Sequence, residues 1–252
     1  MIDLDGVVWL ADQPIAGSAA AVGLLRERGE RVVFVTNNSS MTVGAYLAKL
    51  ERHGIPTDRD GLVTSGQAAA RLLQPGESAL VLGGPGIVEA LEERGVEVTV
   101  AGSGTAPSAK FDAVVMGWHP QFDYPMLQQA TTAVLDGARL IGTNADATYP
   151  TPDGLIPGSG AILASVAFAT GASPAVAGKP NPPIATLIEE RLGAAPAVVV
   201  GDRPDSDGAL ARAIGCRFAL VLSGVTRDPA AADPVPDVVA QDLAELVRLS
   251  TA

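Results

Sequence analysis

The sequence predicts an α/β protein: a Rossmann-like, doubly wound parallel sheet with a second α/β unit inserted into it. Three observations carry this reading. Short β-branched runs alternate with helical stretches, which places helices on both faces of a parallel sheet. At their centres the runs are apolar on successive residues, as strands buried on both faces are. At 252 residues, 47% hydrophobic and 4% aromatic, the chain builds its core mainly from Val, Leu, Ile and Ala.

RVVFVT (residues 31–36), FDAVVMG (111–117), ARLIGT (138–143) and AVVVGD (197–202) read as strands. GSAAAVGLLRERG, YLAKLERHG, IVEALEERG and IATLIEERLG read as helices that close on Gly, the residue favoured just past a helix end. LLQPGES around Gly76 and TGASPAVAG around Pro174 read as boundaries. They make 1–75 and 175–252 two parts of one core, with 76–174 inserted between them. GGPGIVEALEE lacks the third Gly of G-x-G-x-x-G and the GK[ST] of a P-loop, so it reads as a strand-to-helix turn.

A net charge of −11 argues against nucleic acid or an anionic membrane as partner. The single cysteine, Cys216, excludes an internal disulfide and a cysteine zinc site, and reads as a small half-buried hydrophobe. The chain starts on acids and holds no long apolar run, which predicts a cytoplasmic protein without a membrane span. His53 and His119 are isolated, and G-x-S-x-G is absent, so no serine triad or histidine metal set is legible.

Ligands of open parallel sheets sit beyond the carboxyl ends of the strands. Three polar clusters fall at such ends: D-L-D-G (Asp3 to Gly6), T-N-N-S (Thr36 to Ser39) and G-D-R-P-D-S-D (Gly201 to Asp207). Asp3, Asp5, Asp202, Asp205 and Asp207 would gather there, and oxygen ligands in that number call for a hard divalent cation, Mg²⁺. A calcium loop starting at Asp3 fails, because Val8 and Pro14 stand where it needs Gly and Glu. Of three lysines, Lys49 on a helical pattern and Lys110 in a polar loop read as solvated. Lys179, in AGKPNPP, is a candidate to grip a phosphoryl group, with prolines that bar helix until about Asn181. Thr36, Asn37 and Asn38 offer a hydroxyl and amides to phosphoryl oxygens, compatibly with Ser39 or Ser40 capping the next helix.

In order, DLDGVV, VTNN, AGKP and GDRPDSD make the chain resemble the haloacid dehalogenase superfamily of phosphotransferases. VVMGWHPQFDYPMLQQAT, GARLIGTNADATYPTPDGLIPGSGA and TGASPAVAGKP resemble the class IIA branch, NagD-like and 4-nitrophenylphosphatase-like. The resemblance covers nearly the whole chain and implies a Mg²⁺-dependent phosphatase of a small phosphorylated metabolite. It implies Asp3 as nucleophile and Asp5 as the acid and base. It implies Mg²⁺ on Asp3, the Asp5 carbonyl and Asp202, with Asp207 in support, and Thr36, Asn37 and Lys179 on the phosphoryl oxygens. The inserted unit would be a C2-type cap, with Asn144 to Asp153 reaching the site and Asn144, Asp146 and Tyr149 as its specificity contacts. Dimerisation through the cap is the implied assembly, though no decisive apolar patch is legible.

The chain departs from the family in three places. Only Met1 and Ile2 precede Asp3, which predicts a truncated start or a short first strand. Met41 stands where relatives often carry a basic residue, and Gly208 where many carry an apolar one. Two other functions stay open: a phosphomutase on the same fold, separable by its product, and a non-catalytic phosphometabolite-binding protein, whose mark would be loss of Asp3 or Asp5. A dehalogenase is disfavoured by the second aspartate.

Overall fold

The apolar runs form strands shorter than themselves. In the computed structural model, which describes residues 1–102, 110–151 and 153–250, β1 is only Ile2–Asp3. A hairpin follows, β2 (Trp9–Leu10) with β3 (Gln13–Pro14), then α1 (Ser18–Glu27) and β4 (Phe34–Thr36). Of RVVFVT, the strand keeps only the last three residues, the three that pair with Leu62–Thr64 on one side, while β1 on the other meets Phe34 and Val35.

The chain continues through α2 (Val43–Arg52), β5 (Leu62–Thr64) and α3 (Ser65–Ala70). It then builds β6 (Ser78–Leu82), α4 (Pro85–Glu93), β7 (Glu97–Val100), β8 (Ala113–Met116), α5 (Tyr124–Leu135) and β9 (Arg139–Gly142). A second hairpin, β10 (Thr148–Thr151) with β11 (Gly154–Pro157), leads to α6 (Ser159–Thr170) and β12 (Ala175–Val176). The last elements are α7 (Pro182–Leu192), β13 (Val198–Gly201), α8 (Ala209–Ala213), β14 (Arg217–Val221), β15 (Val238–Ala240) and α9 (Leu243–Leu249).

Among the described residues, β15-β14-β13-β1-β4-β5 form one parallel sheet and β12-β9-β8-β6-β7 a second. The expected α/β class is thus observed. β12 pairs with β9, so the second sheet keeps its last strand past residue 174. One apolar cluster runs from Val35 and Val63 of the first sheet through Ala68 and Ala69 to Val81 and Val115 of the second. No helix of the described residues is long and apolar enough to cross a membrane.

Local signals set the element ends. Asn181 stands at the N-cap position of α7 without a side-chain capping bond, its amide donating to the Gly178 carbonyl instead, and the helix starts at Pro182 because proline is tolerated in a helix's first turn. α2 is capped by Thr42, whose hydroxyl accepts from the Ala45 N–H, and not by Ser39 or Ser40. Ser39 instead spends its hydroxyl on Thr143 at 2.9 Å, and the Ser40 N–H donates to Asn38 Oδ1.

GGPG is the predicted strand-to-helix turn, between β6 and α4. Its glycines serve a close approach. A Cβ on Gly84 would lie 2.2 Å from the Ser40 carbonyl oxygen, and one on Gly86 would lie 2.0 Å from that of Met41. Met41 therefore belongs to a packing seam between the two sheets. At the other departure, a side chain on Gly208 would press on the Phe218 ring at 2.9 Å.

Candidate active site

β1 lies between β13 and β4, where the strand order reverses, so their carboxyl ends open one crevice. Asp3 ends β1, Thr36 ends β4, and Asp202 follows β13. The turn at Gly6, with φ of +89°, takes the chain away from the sheet just after Asp5. A side chain at Gly6 would also strike Asp202 Oδ2 at 2.3 Å.

Asp3, Asp202 and Asp207 converge, with one carboxylate oxygen of each within 4.8 Å of the others, and all three are buried. Lys179 Nζ donates to Asp3 Oδ1 and to Asp207 Oδ1, each at 2.6 Å. Asp207 Oδ2 accepts from the Arg203 N–H at 3.2 Å. Burial works against the Lys179 charge, yet Asp207 and Asp3 outweigh it and hold the ammonium protonated. One lysine does not balance three carboxylates. Burial, followed by the charge of Asp207, pushes Asp202 up to about 7. Burial also raises Asp3, with Asp207 and Asp202 adding to it against Lys179.

Asp202 decides whether these residues fit a divalent cation. Its Oδ2 accepts from the Val225 N–H at 2.6 Å, while Oδ1, buried, has no hydrogen-bond partner. A buried carboxylate oxygen left unpaired among other carboxylates is costly unless a cation takes it. The donor set is all oxygen, which suits Mg²⁺. The residues fit.

Asp5 stands apart from this cluster. Its Oδ1 accepts from the Trp9 indole N–H at 3.2 Å and the Tyr149 hydroxyl at 3.1 Å, and its Oδ2 from the Thr36 hydroxyl at 3.3 Å. Burial raises its pKa, opposed by the Lys49 charge and by those hydrogen bonds. A carboxyl of this kind keeps its proton to higher pH than a solvated one.

The second sheet's loops close over this crevice. Asn37 Nδ2 donates to both oxygens of Asp146 at 3.1 Å and to the Lys179 carbonyl, while its Oδ1 accepts from the Lys179 N–H at 2.8 Å. Asn144 Nδ2 donates to the Asn37 carbonyl at 2.6 Å. Tyr149 stacks on Trp118 with ring centroids 5.2 Å apart. Arg203 reaches the Thr148 carbonyl through Nη1 at 3.3 Å. The space left among Asp3, Asp5, Trp118, Tyr149, Lys179 and Arg203 is about 40 Å³.

The site residues singled out in the sequence thus meet, with differences of detail. Asp205 turns outward to Arg203, its side chain 71% exposed. The Asn37 amide is engaged with Lys179 and Asp146, and the Thr36 hydroxyl with Asp5, so both order the site from within. Asn38 Oδ1 holds the Ser40 N–H, and its carbonyl accepts from Tyr46. Pro152, in the expected 144–153 loop, lies outside the described residues. Lys49, expected in solvent, is buried against Trp9. Trp9, Trp118 and Arg203 were not legible as site residues. Trp9 had one sequence signal, its place four residues after Asp5, and it reads equally well as core.

The family model for haloacid dehalogenase-like hydrolases matches residues 1–97, and a HAD-hydrolase-like model matches residues 176–246. The chain is 37% identical to a D-glycerol 3-phosphate phosphatase of Mycobacterium tuberculosis, over 98% of this chain and 70% of that one. It is 36% identical to an acid sugar phosphatase of Staphylococcus aureus, over 82% of this chain and 79% of that one. A solved structure of a glycerol phosphate phosphatase from Mycobacterium tuberculosis in complex with magnesium superimposes with a TM-score of 0.85 at 35% identity, covering 98% of this chain and 75% of that one.

Proposed function

This chain belongs to the haloacid dehalogenase-like hydrolases, and from that premise we infer that it is a Mg²⁺-dependent phosphatase of small phosphomonoesters, of the NagD-like branch. One observation carries the reading to this chain's own residues. Three buried carboxylates converge, a single lysine bonds two of them, Asp3 and Asp207, and Oδ1 of the third, Asp202, is left without a partner. Such a site is short of positive charge and suits a cation and an anionic ester together.

Asp3 attacks phosphorus in line, and the bond from phosphorus to the ester oxygen breaks, leaving an aspartyl-phosphate. Asp5 gives its proton to the departing oxygen. Asp5 then takes a proton from water, which attacks the same phosphorus and returns Asp3 and inorganic phosphate. Lys179 balances the phosphoryl charge as it shifts, and Asn37 fixes Lys179 through its backbone N–H. Asp3, the Asp5 carbonyl and Asp202 would hold Mg²⁺, backed by Asp207, and the ion supplies the charge that lets an anionic ester approach a carboxylate. Thr36, Asn37 and Asn38 line the phosphoryl side.

Residues 76–174, with β12, act as the lid. Asn144, Asp146 and Tyr149 bring its loops onto the core, and closure excludes water while the acyl phosphate exists. The names of the relatives point to small leaving groups, glycerol or a sugar. The lid carries Phe168, 94% exposed on α6, and exposed Leu155 on β11. These exposed apolar side chains support a homodimer through the lid, which sedimentation of wild type and Phe168→Glu tests; a monomeric wild type contradicts it. We place the enzyme in the cytoplasm, as its sequence predicts.

The test of the activity is a panel of phosphate esters, with and without Mg²⁺, on wild type and Asp3→Asn. Phosphate release is expected to need both the metal and Asp3. Turnover that survives chelation or the substitution contradicts the reading.

A further inference from the structure

The hairpin after the D-L-D-G turn, and the lysine behind it, have no part in the reaction as described. Trp9 is fully buried, yet its indole N–H reaches Asp5 Oδ1 at 3.2 Å. Its backbone is tied into the same turn, since the Gly6 N–H donates to the Trp9 carbonyl at 2.7 Å. Of the three donors on the Asp5 carboxyl, Tyr149 comes from the β10–β11 hairpin, and Thr36 sits at 3.3 Å while also accepting from the Asn38 N–H. Trp9 is the donor built into Asp5's own segment.

Lys49 of α2 lies on the face of that indole, its Nζ 4.3 Å from the ring centroid. The same Nζ donates to the Ala11 carbonyl at 2.5 Å and pairs with Asp12 at 3.2 Å. Ala11 has φ of +51°, a left-handed conformation disfavoured for a residue with a side chain. Lys49 therefore pins the strained tip of the hairpin whose base presents Trp9 to Asp5. A buried ammonium is costly, and packing alone would be served by Met or Leu. A cation on the ring face also draws electron density from the indole and strengthens its N–H as a donor.

We propose that Trp9 and Lys49 are positioning residues for proton transfer: Trp9 fixes the orientation of the Asp5 carboxyl through its indole N–H, and Lys49 fixes Trp9. Asp5 is taken here as the proton carrier, as in the function proposed above. A carboxyl that rotates freely meets the leaving oxygen less often, and the loss falls on esters whose oxygen must be protonated to leave.

The experiment compares kcat/KM, which covers the steps through leaving-group departure, for glycerol 3-phosphate and for 4-nitrophenyl phosphate in Mg²⁺. An alkoxide needs the proton; a nitrophenolate leaves without it. Trp9→Phe keeps a ring under Lys49 and removes the donor. It is expected to lower the ratio of glycerol to nitrophenyl turnover by about tenfold, the size of one hydrogen bond. Lys49→Met is expected to lower the ratio less, and Lys49→Arg, which keeps the cation, to restore it. Thermal melts confirm that the compared variants are folded. Equal loss on both esters, or an unchanged ratio, overturns the proposal. Asp5→Asn separates the two possible failures. If it leaves the ratio of wild type, Asp5 does not carry the proton. If it collapses the ratio while the Trp9 and Lys49 variants do not, only the positioning role is wrong.

Discussion

Lys179 Nζ lies 2.6 Å from Oδ1 of Asp3, the oxygen-bearing group proposed to attack phosphorus, and both residues are buried. The contact makes the lysine the one protein cation in direct touch with the nucleophile among the described residues. Lys179→Met keeps most of the stem and removes the charge. Steady-state kinetics in saturating Mg²⁺ are expected to show kcat lowered by about 10²–10³, the range for losing one electrostatic stabiliser of a transition state. A variant with kcat near wild type contradicts the assignment.

Cation binding has a readout that does not need turnover. The unpartnered Asp202 Oδ1 predicts that Mg²⁺ raises the melting temperature. At about a hundred times its Kd the gain is about 2.7 kcal/mol, or roughly 5–10 °C for a chain of this size. Asp202→Asn is expected to abolish the shift measured by calorimetry. A full shift in that variant places the ion elsewhere.

The surroundings of two glycines predict opposite signs for two similar substitutions. Gly86→Ala drives a Cβ into the Met41 carbonyl and is expected to cost about 1–3 kcal/mol. Gly23→Ala, inside α1 with nothing near its Cβ, is expected to stabilise by about 0.5–1 kcal/mol. Denaturant midpoints check both, and a neutral Gly86→Ala contradicts the packing described.

Asp237 predicts a pH dependence away from the site. Its Oδ2 accepts from the Phe218 N–H at 2.8 Å and from Arg212 at 2.9 Å, and the backbone bond first, then Arg212, holds it below the usual carboxylate range. A carboxyl depressed in the folded state contributes stability that is complete above its unfolded pKa of about 3.9. The contribution is lost as pH falls through the lower, folded value. The urea midpoint of wild type is therefore expected to exceed that of Asp237→Asn by a constant amount near neutrality, with the gap closing in acid. A gap independent of pH contradicts the assignment.

The strand-end rule made Asp3, Asp202 and Lys179 legible in the sequence, because carboxylates and a lysine at the ends of apolar runs have few other reasons to be there. The short edge strands β5, β12 and β15 were not legible, since two or three residues carry no period of their own. Lys49 was misread for a related reason. Helical spacing places a lysine on a face, but only the tertiary fold sets Trp9 against it. The partners of the Asn37 side chain, too, come from chain segments more than a hundred residues away, and no local pattern announces them.

The nucleophilic role of Asp3 is tested most directly by trapping. Wild type mixed with glycerol 3-phosphate and Mg²⁺, quenched within a turnover and reduced with borohydride, is expected to yield homoserine at position 3 in its tryptic peptide, and Asp3→Asn to yield none. Phosphate release with no homoserine at position 3, or with homoserine at another aspartate, contradicts the account.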